Sequence, residues 1–435
     1  MSSAFPASRV VSFEDARHLV EQHASQISPG DVEFSGLLSA SGRVLAEPIS
    51  ADRDLPPFPR ATRDGYAVRA ADVTQVPVRL AVIGESKAGA LPDPRLGSIE
   101  QGQAVAIMTG APLPPGADAV VMVEYTLQAG QAVEIKRSVT AGENYVPRGA
   151  EAHQGQLLVD RGTLLDHATI AIAASVGMSR LPVFRRPRIA VLSTGDEIVS
   201  IETSPGPAQI RNSNTYSLAA QVLAAGGEPV PLPIAPDEPK RLRCLIEEGL
   251  GSDLLLLTGG VSMGKYDLVE QVLAELKAGF YFTGAQIQPG RPIVFGSCTA
   301  DTETFQTEAS TLQRRRTGVS APHQTYFFGL PGNPVSTMVT FELFVRPMVQ
   351  ALAGMKPRPL IFLKARLKSE IRTKTGLKRF LPAVLSGEFE NAEIELAHWE
   401  GSGDVAALAR ANCYLVIPPD REQISAGEWV SLLMR

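Results

Sequence analysis

Short continuous apolar runs alternate with amphipathic stretches through the second half of the chain. Residues 188–192, 253–258 (DLLLLT) and 326–330 read as buried strands. Helical periods follow them. Asn212 can cap a helix through Ala225, which Gly226-Gly227 stops. Asp237 opens a second helix, another follows from about Asp267, and a long one follows Pro334. Strands that alternate with helices imply a mostly parallel sheet covered on both faces, with ligands at the carboxyl ends of its strands.

The first half reads differently. Ser12-Phe13-Glu14-Asp15 resembles a capping box for a helix to about Gln26. Residues 43–50 look extended, and Leu55-Pro56-Pro57-Phe58-Pro59 cannot be helix interior. From there to about Gly142 the pattern is short β runs and turns, a β-rich lobe, and residues 143–186 return to mixed structure. Residues 299–324 are polar and aperiodic, which predicts a flexible insertion. After the break at residues 356–359, apolar and polar positions alternate to the end, as in a separate small β domain.

Composition narrows the function. The chain has 435 residues and a net charge of -5, so no basic field draws nucleic acid or an anionic membrane to it. Its three cysteines, Cys244, Cys298 and Cys413, are widely spaced, which fits a reducing compartment and excludes a disulfide framework. The N-terminal stretch lacks a signal-peptide pattern and no apolar run approaches a membrane span, so a cytoplasmic protein is expected. The six histidines have no metal-ligand spacing.

Three loops could carry chemistry. Ser193-Thr194-Gly195-Asp196-Glu197 follows the first apolar strand, Thr258-Gly259-Gly260-Val261-Ser262-Met263-Gly264 the second, and Leu330-Pro331-Gly332-Asn333-Pro334-Val335-Ser336 the third. Glycines let backbone N–H groups approach an anion, and a helix N-terminus adds a positive dipole end. Together the loops point to a phosphate-bearing ligand, although none is a Walker A or GxGxxG motif. Glu197, Asp237 and Asp267 accompany the glycines. Beside a phosphate each carboxylate is repelled, by about 4 kcal/mol at ~4 Å and an effective dielectric near 20, unless a cation intervenes. Mg²⁺ suits that place. Asp237 is equally consistent with a helix cap. In the lobe, Thr62-Arg63-Asp64-Gly65-Tyr66-Ala67 and Met108-Thr109-Gly110-Ala111-Pro112 are explained by turn chemistry alone, and Glu151 reads as a surface acid.

Read together, the motifs resemble the molybdopterin molybdenumtransferase family, the bacterial MoeA proteins and the C-terminal domain of gephyrin. The matching stretches are DGYAVR (64–69), IMTGAPLPPGADAVV (107–121), STGDE (193–197), TGGVSMGKYD (258–267), PGRP (289–292), GLPGNPVS (329–336) and GSGD (401–404). The resemblance implies four domains: an elongated mixed N-terminal unit from residues 1–60 and 143–186, the β-rich lobe 61–142, a three-layer α/β molybdopterin-binding domain 187–354, and a C-terminal β-barrel-like domain 355–435. It implies a homodimer that inserts molybdate into adenylylated molybdopterin, releasing AMP with Mg²⁺, and transient contact with molybdopterin adenylyltransferase and apo-molybdoenzymes.

Carried over by position, the catalytic set is Asp64, Thr109, Glu197, Asp237, Asp267 and Arg291, with Asp237, Asp267 and Glu197 as the metal ligands. Thr194, Gly195, Gly259, Gly260, Ser262, Gly332, Asn333, Ser336 and Glu151 form the ligand-binding set. Glu151 and Arg291 stand where the family usually has Asp and Lys, and Gln288 where many relatives have Lys. Two competing readings are adenylylation of molybdopterin with ATP, which the isolated α/β domain permits, and a scaffold that binds cofactor without turnover. The extra lobes oppose the first, and the intact acids oppose the second.

Overall fold

The structure, a computed structural model, describes residues 9–90, 97–260, 268–300 and 323–435. Its central sheet runs in the order Glu228–Pro231, Arg188–Ser193, Leu254–Thr258, His323–Leu330, Val294–Ala300, Gly279–Phe282. The first four strands are parallel, and Val294–Ala300 runs antiparallel to both of its neighbours. Leu254–Thr258 is buried at every position, because this inner strand is covered on both faces. Alternate residues separate two cores. Ile189, Val191, Leu254, Leu256 and Phe328 pack with the helices Asn214–Ala224 and Pro334–Thr340. Ala190, Leu192, Leu255, Leu257 and Phe327 pack with Pro239–Gly249 and Leu268–Glu275.

The N-terminal helix, Phe13–Ala24, joins the first of these cores through Phe13, Ala16, Val20 and Ala24. Its box is half formed. The Asp15 N–H donates to Ser12 Oγ at 3.0 Å, while the Asp15 carboxylate accepts the Ser12 hydroxyl rather than the backbone N–H. The helix expected after Pro334 is interrupted, since a π-helical turn at Phe341–Val345 separates Pro334–Thr340 from Arg346–Leu352. Such a turn loosens the i→i−4 ladder. Arg17 of the first helix donates to the Leu343 carbonyl there at 3.0 Å.

The lobe is a six-stranded sheet in the order Ala119–Met122, Gly65–Val68, Gln103–Ile107, Val78–Ser86, Ala132–Ile135, Thr126–Ala129. Segments before and after it pair with each other: Val32–Gly36 with Arg180–Phe184, and Ile49–Ser50 with Leu157–Val159. In the C-terminal region five strands close into a barrel. Lys378–Ser386 pairs with both Glu393–Leu396 and Cys413–Ile417, and Phe362–Leu367 and Trp429–Met434 complete the ring. Closure leaves the five-stranded ring no free edge. Among the described residues no helix is long and apolar enough to cross a membrane.

Candidate active site

Three parallel strands deliver their loops to one edge of the central sheet. The Thr194 N–H donates to the Thr258 carbonyl at 2.9 Å, and the Thr258 hydroxyl donates to Pro331 O at 3.2 Å. Asn214 ties the second and third loops, its Nδ2 donating to Thr258 Oγ1 at 2.8 Å and to Gly332 O at 2.7 Å. Glycine is required where the first two loops touch. Gly259 has φ +91°, and a Cβ there would lie 2.3 Å from the Thr194 carbonyl oxygen. The Thr194 side chain is buried behind this crossing, and its hydroxyl has no hydrogen-bond partner among the described residues.

The loops open into a cavity of about 910 Å³ between the α/β domain and the barrel. Of the residues expected at the site, Glu197, Gly259, Gly260, Arg291, Gly332, Asn333 and Ser336 line it. The barrel supplies Lys374, Arg379, Trp399 and Ser402. Two links join the halves. Ile287–Gln288, just before the PGRP turn, pairs in parallel with the start of Lys378–Ser386. Asn333 Nδ2 donates to Ser402 Oγ at 2.8 Å, and the Val335 N–H donates to Ser402 O at 3.0 Å. Lys374, Arg379 and Trp399 escaped the sequence reading because isolated polar positions of a β domain form no local motif. Ser402 lies within GSGD, which supplied that signal.

Glu197 folds back over Gly195, where a Cβ would meet Glu197 Oε2 at 2.3 Å. Residues 235–237 run beside the same loop. The Gly195 N–H donates to Ala235 O at 3.2 Å, and the Asp237 N–H donates to Asp196 Oδ1 at 3.1 Å. The helix Pro239–Gly249 takes Glu238 as its N-cap without a side-chain bond, so the Asp237 carboxylate is not a cap. Neither Glu197 nor Asp237 has an ion-pair partner among the described residues. No group of three or more His, Cys, Asp or Glu gathers for a metal among those residues. Glu197 lines the cavity and Asp237 does not; one carboxylate with waters and substrate phosphate oxygens is a shell that suits Mg²⁺. Asp267 and Ser262 lie outside the described residues, as do residues 301–322 of the expected insertion.

Asp64, Thr109 and Glu151 do not line this cavity. They sit together on the lobe side of the same chain. Asp64 Oδ1 accepts from the Thr109 N–H at 2.6 Å and from its hydroxyl at 2.8 Å. These two bonds, the backbone one first, hold the exposed Asp64 carboxyl below the usual aspartate range. Gly65 follows with φ +157°, and a Cβ there would lie 1.9 Å from Val121 O, so the turn before the strand Gly65–Val68 needs glycine. Arg60 Nη2 meets Glu151 Oε1 at 2.9 Å, and Arg60 is bridged to Pro112 of the Thr109 loop. The longer Glu151 side chain thus has a cation of the Phe58-Pro59-Arg60 segment as its partner. Elsewhere, burial raises the Cys413 thiol to about 11, which opposes thiolate chemistry there.

Residues 11–177 match the family pattern described as MoeA N-terminal region (domain I and II), residues 190–351 the probable molybdopterin binding domain, and residues 364–434 the MoeA C-terminal region (domain IV). The molybdopterin molybdenumtransferase of Nostoc sp. is 35% identical over 93% of this chain and 89% of its own length. That of Bacillus subtilis is 31% identical over 93% and 90%. A crystal structure of the molybdopterin biosynthesis MoeA protein from Pyrococcus horikoshii OT3 superposes with a TM-score of 0.75 at 28% identity, covering 98% of this chain and 100% of that one.

Proposed function

The chain belongs to the molybdopterin molybdenumtransferase family, and from that premise we propose that it inserts molybdate into adenylylated molybdopterin in the cytoplasm, releasing AMP with Mg²⁺. The observation that carries this reading is the cavity itself. Its described lining holds three cations, Arg291, Lys374 and Arg379, against one carboxylate, Glu197. A protein of net charge -5 thereby gains a local positive field for an anionic ligand.

The chain's residues divide the work. Backbone N–H groups of the Gly259-Gly260 and Gly332-Asn333 loops cradle phosphates. Arg291 presents a rigid fork of donors to molybdate. Glu197 and Asp237, with Asp267, hold Mg²⁺, which neutralises phosphate charge when bound. The dithiolene sulfurs that take the molybdenum belong to the ligand, so no protein thiolate is needed.

Asp64, Thr109 and Glu151 enter the scheme through a homodimer. That they do not line the cavity of their own chain favours a site completed by the lobe of a second subunit, which two-fold symmetry would form twice. The segment 32–38 exposes Val32, Phe34 and Leu38, at 48%, 61% and 92% of their surface, and such an apolar patch suits a protein contact. The adenylylating rival is weakened because the barrel supplies 7 of the 20 residues that line the cavity, whereas that activity is typical of the isolated α/β domain.

The test mixes purified protein with adenylylated molybdopterin and follows AMP. Release should need both molybdate and Mg²⁺. ATP consumption with unadenylylated molybdopterin would establish the rival instead.

A further inference from the structure

Asn214 opens the helix Asn214–Ala224 but does not cap it. The local side-chain bond belongs to Asn212, whose Oδ1 accepts the Thr215 N–H at 3.1 Å. Both hydrogens of the Asn214 amide go instead to the ends of two strands. One meets Thr258 Oγ1 at 2.8 Å and the other the Gly332 carbonyl at 2.7 Å. The reverse orientation is closed to it, because Gly332 O can only accept and the amide nitrogen must face it. The Asn214 amide oxygen is left buried, with no partner among the described residues. A buried acceptor without a partner destabilises a fold. Stability alone therefore does not account for an asparagine at this position.

Its two bonds orient two peptide planes. The Thr258 hydroxyl accepts from Asn214 and gives its own hydrogen to Pro331 O at 3.2 Å. The buried Thr337 hydroxyl donates to the same carbonyl. Pro331 O and Gly332 O are thus anchored to one hydrogen-bonded cluster. A trans peptide is planar, and its N–H points opposite to its C=O. The N–H groups of Gly332 and Asn333 therefore turn away from that cluster, on a loop whose Pro331, Gly332 and Asn333 line the cavity. Neither N–H donates to any described residue. Two successive free N–H groups make a concave pair that suits an anionic oxygen.

A second observation points to a ligand at this pair. Gly332 lies outside the left-handed region, and a Cβ there would find only Gly259, its Cα at 3.6 Å and its N at 4.0 Å. That is ordinary contact, so the fold does not require glycine at 332 as it does at 259. A bare Cα does suit the close approach of a bound group to the backbone.

We propose that Asn214 is a positioning residue of the transferase. It touches no ligand, and through the Gly332 carbonyl and the Thr258 hydroxyl it turns the Gly332 and Asn333 N–H groups together toward a phosphoryl group of the substrate. This rests on the reading above that the third loop cradles phosphate.

The experiment uses full-length wild type, Asn214→Ala, Asn214→Asp and Thr258→Val. Each is titrated calorimetrically with AMP and with inorganic phosphate, unfolded thermally without ligand, and assayed for AMP release. Asn214→Asp keeps the shape and removes both donors. Asn214→Ala removes the stranded acceptor as well, so it should unfold within a few degrees of wild type. Both should bind AMP at least tenfold more weakly and raise KM for adenylylated molybdopterin about tenfold, with KM for molybdate unchanged. Thr258→Val is isosteric and should show a smaller loss in the same direction. It decides the matter if neither Asn214 variant folds, since wild-type affinity for AMP in Thr258→Val overturns the proposal. A folded Asn214→Ala protein with wild-type affinity and a lowered unfolding temperature also overturns it, because the role would then be structural. So does an equal rise in both KM values, or a wild type that binds neither AMP nor phosphate. AMP binding that depends on Asn214, beside AMP release that ignores molybdate, would instead sink the functional reading and leave the positioning role standing.

Discussion

Substituting Gly259→Ala tests whether the crossing of the first two loops is as tight as it looks. The backbone there has φ +91°, and an L-residue in that left-handed region costs about 1–2 kcal/mol. The new methyl would lie 2.3 Å from the Thr194 carbonyl oxygen, so the strand ends Arg188–Ser193 and Leu254–Thr258 must part. Overpacking of this kind costs about 1–3 kcal/mol. Parting the strands also strains the 2.9 Å bond from the Thr194 N–H to Thr258 O, worth about 1 kcal/mol. The sum is roughly 3–6 kcal/mol, which for a domain of this size lowers its unfolding temperature by roughly 6–24 °C. Gly130→Ala is the control. Gly130 has φ +63° but nothing within 4 Å of the new Cβ, so only the backbone strain applies, roughly 2–8 °C. Differential scanning calorimetry of both variants, with AMP release alongside, compares them. Gly259→Ala should also lose at least tenfold in turnover, because the displaced loop is the one proposed to cradle phosphate with its N–H groups. A Gly259→Ala protein as stable as Gly130→Ala, with wild-type turnover, would refute the geometry.

Thr109→Ala should raise the Asp64 pKa toward the ordinary aspartate value of about 4, but only in part, since the backbone N–H bond remains. The Asp64 carboxyl has a lowered folded-state value, so its contribution to stability is present above about pH 4 and lost as pH falls through that folded value. Carboxyl carbon NMR titration of labelled Asp64 reads the shift, and identical titration in both proteins would show that the Thr109 hydroxyl does not matter. For the shared site, Asp64→Asn and Asp267→Asn, each nearly inactive alone, should regain activity when their subunits exchange. One site of the mixed dimer then pairs two intact halves. Isolated heterodimers as inactive as either parent would place Asp64 in cis.

The α/β unit was legible in the sequence because its inner strands are buried on both faces. Such strands give continuous apolar runs like Leu254–Thr258, and the glycine loops must follow them. The interruption at Phe341–Val345 was not legible, since the run of apolar residues is the same for an α-helix and a π turn. The first helix looked like the start of the N-terminal unit. It also packs on the α/β core, a tertiary contact that helical period alone does not encode. Half of the site was readable for the same reason as the strands: Glu197, Gly259, Gly260, Gly332 and Asn333 are neighbours in short motifs. Arg379, Lys374 and Trp399 reach the cavity through barrel closure and the pairing of Ile287–Gln288 with the barrel. Their recruitment depends on contacts between residues far apart in the chain.

In the proposed reaction, anhydride cleavage and molybdenum insertion are one coupled event at the cavity between the α/β domain and the barrel. A single-turnover reaction of the full chain with adenylylated molybdopterin, Mg²⁺ and molybdate measures it directly, with AMP and pterin-bound molybdenum quantified in the same sample. One molybdenum bound to pterin is expected for each AMP released, and neither product when molybdate is left out. AMP released at the same rate without molybdate, or without molybdenum appearing on the pterin, would contradict it.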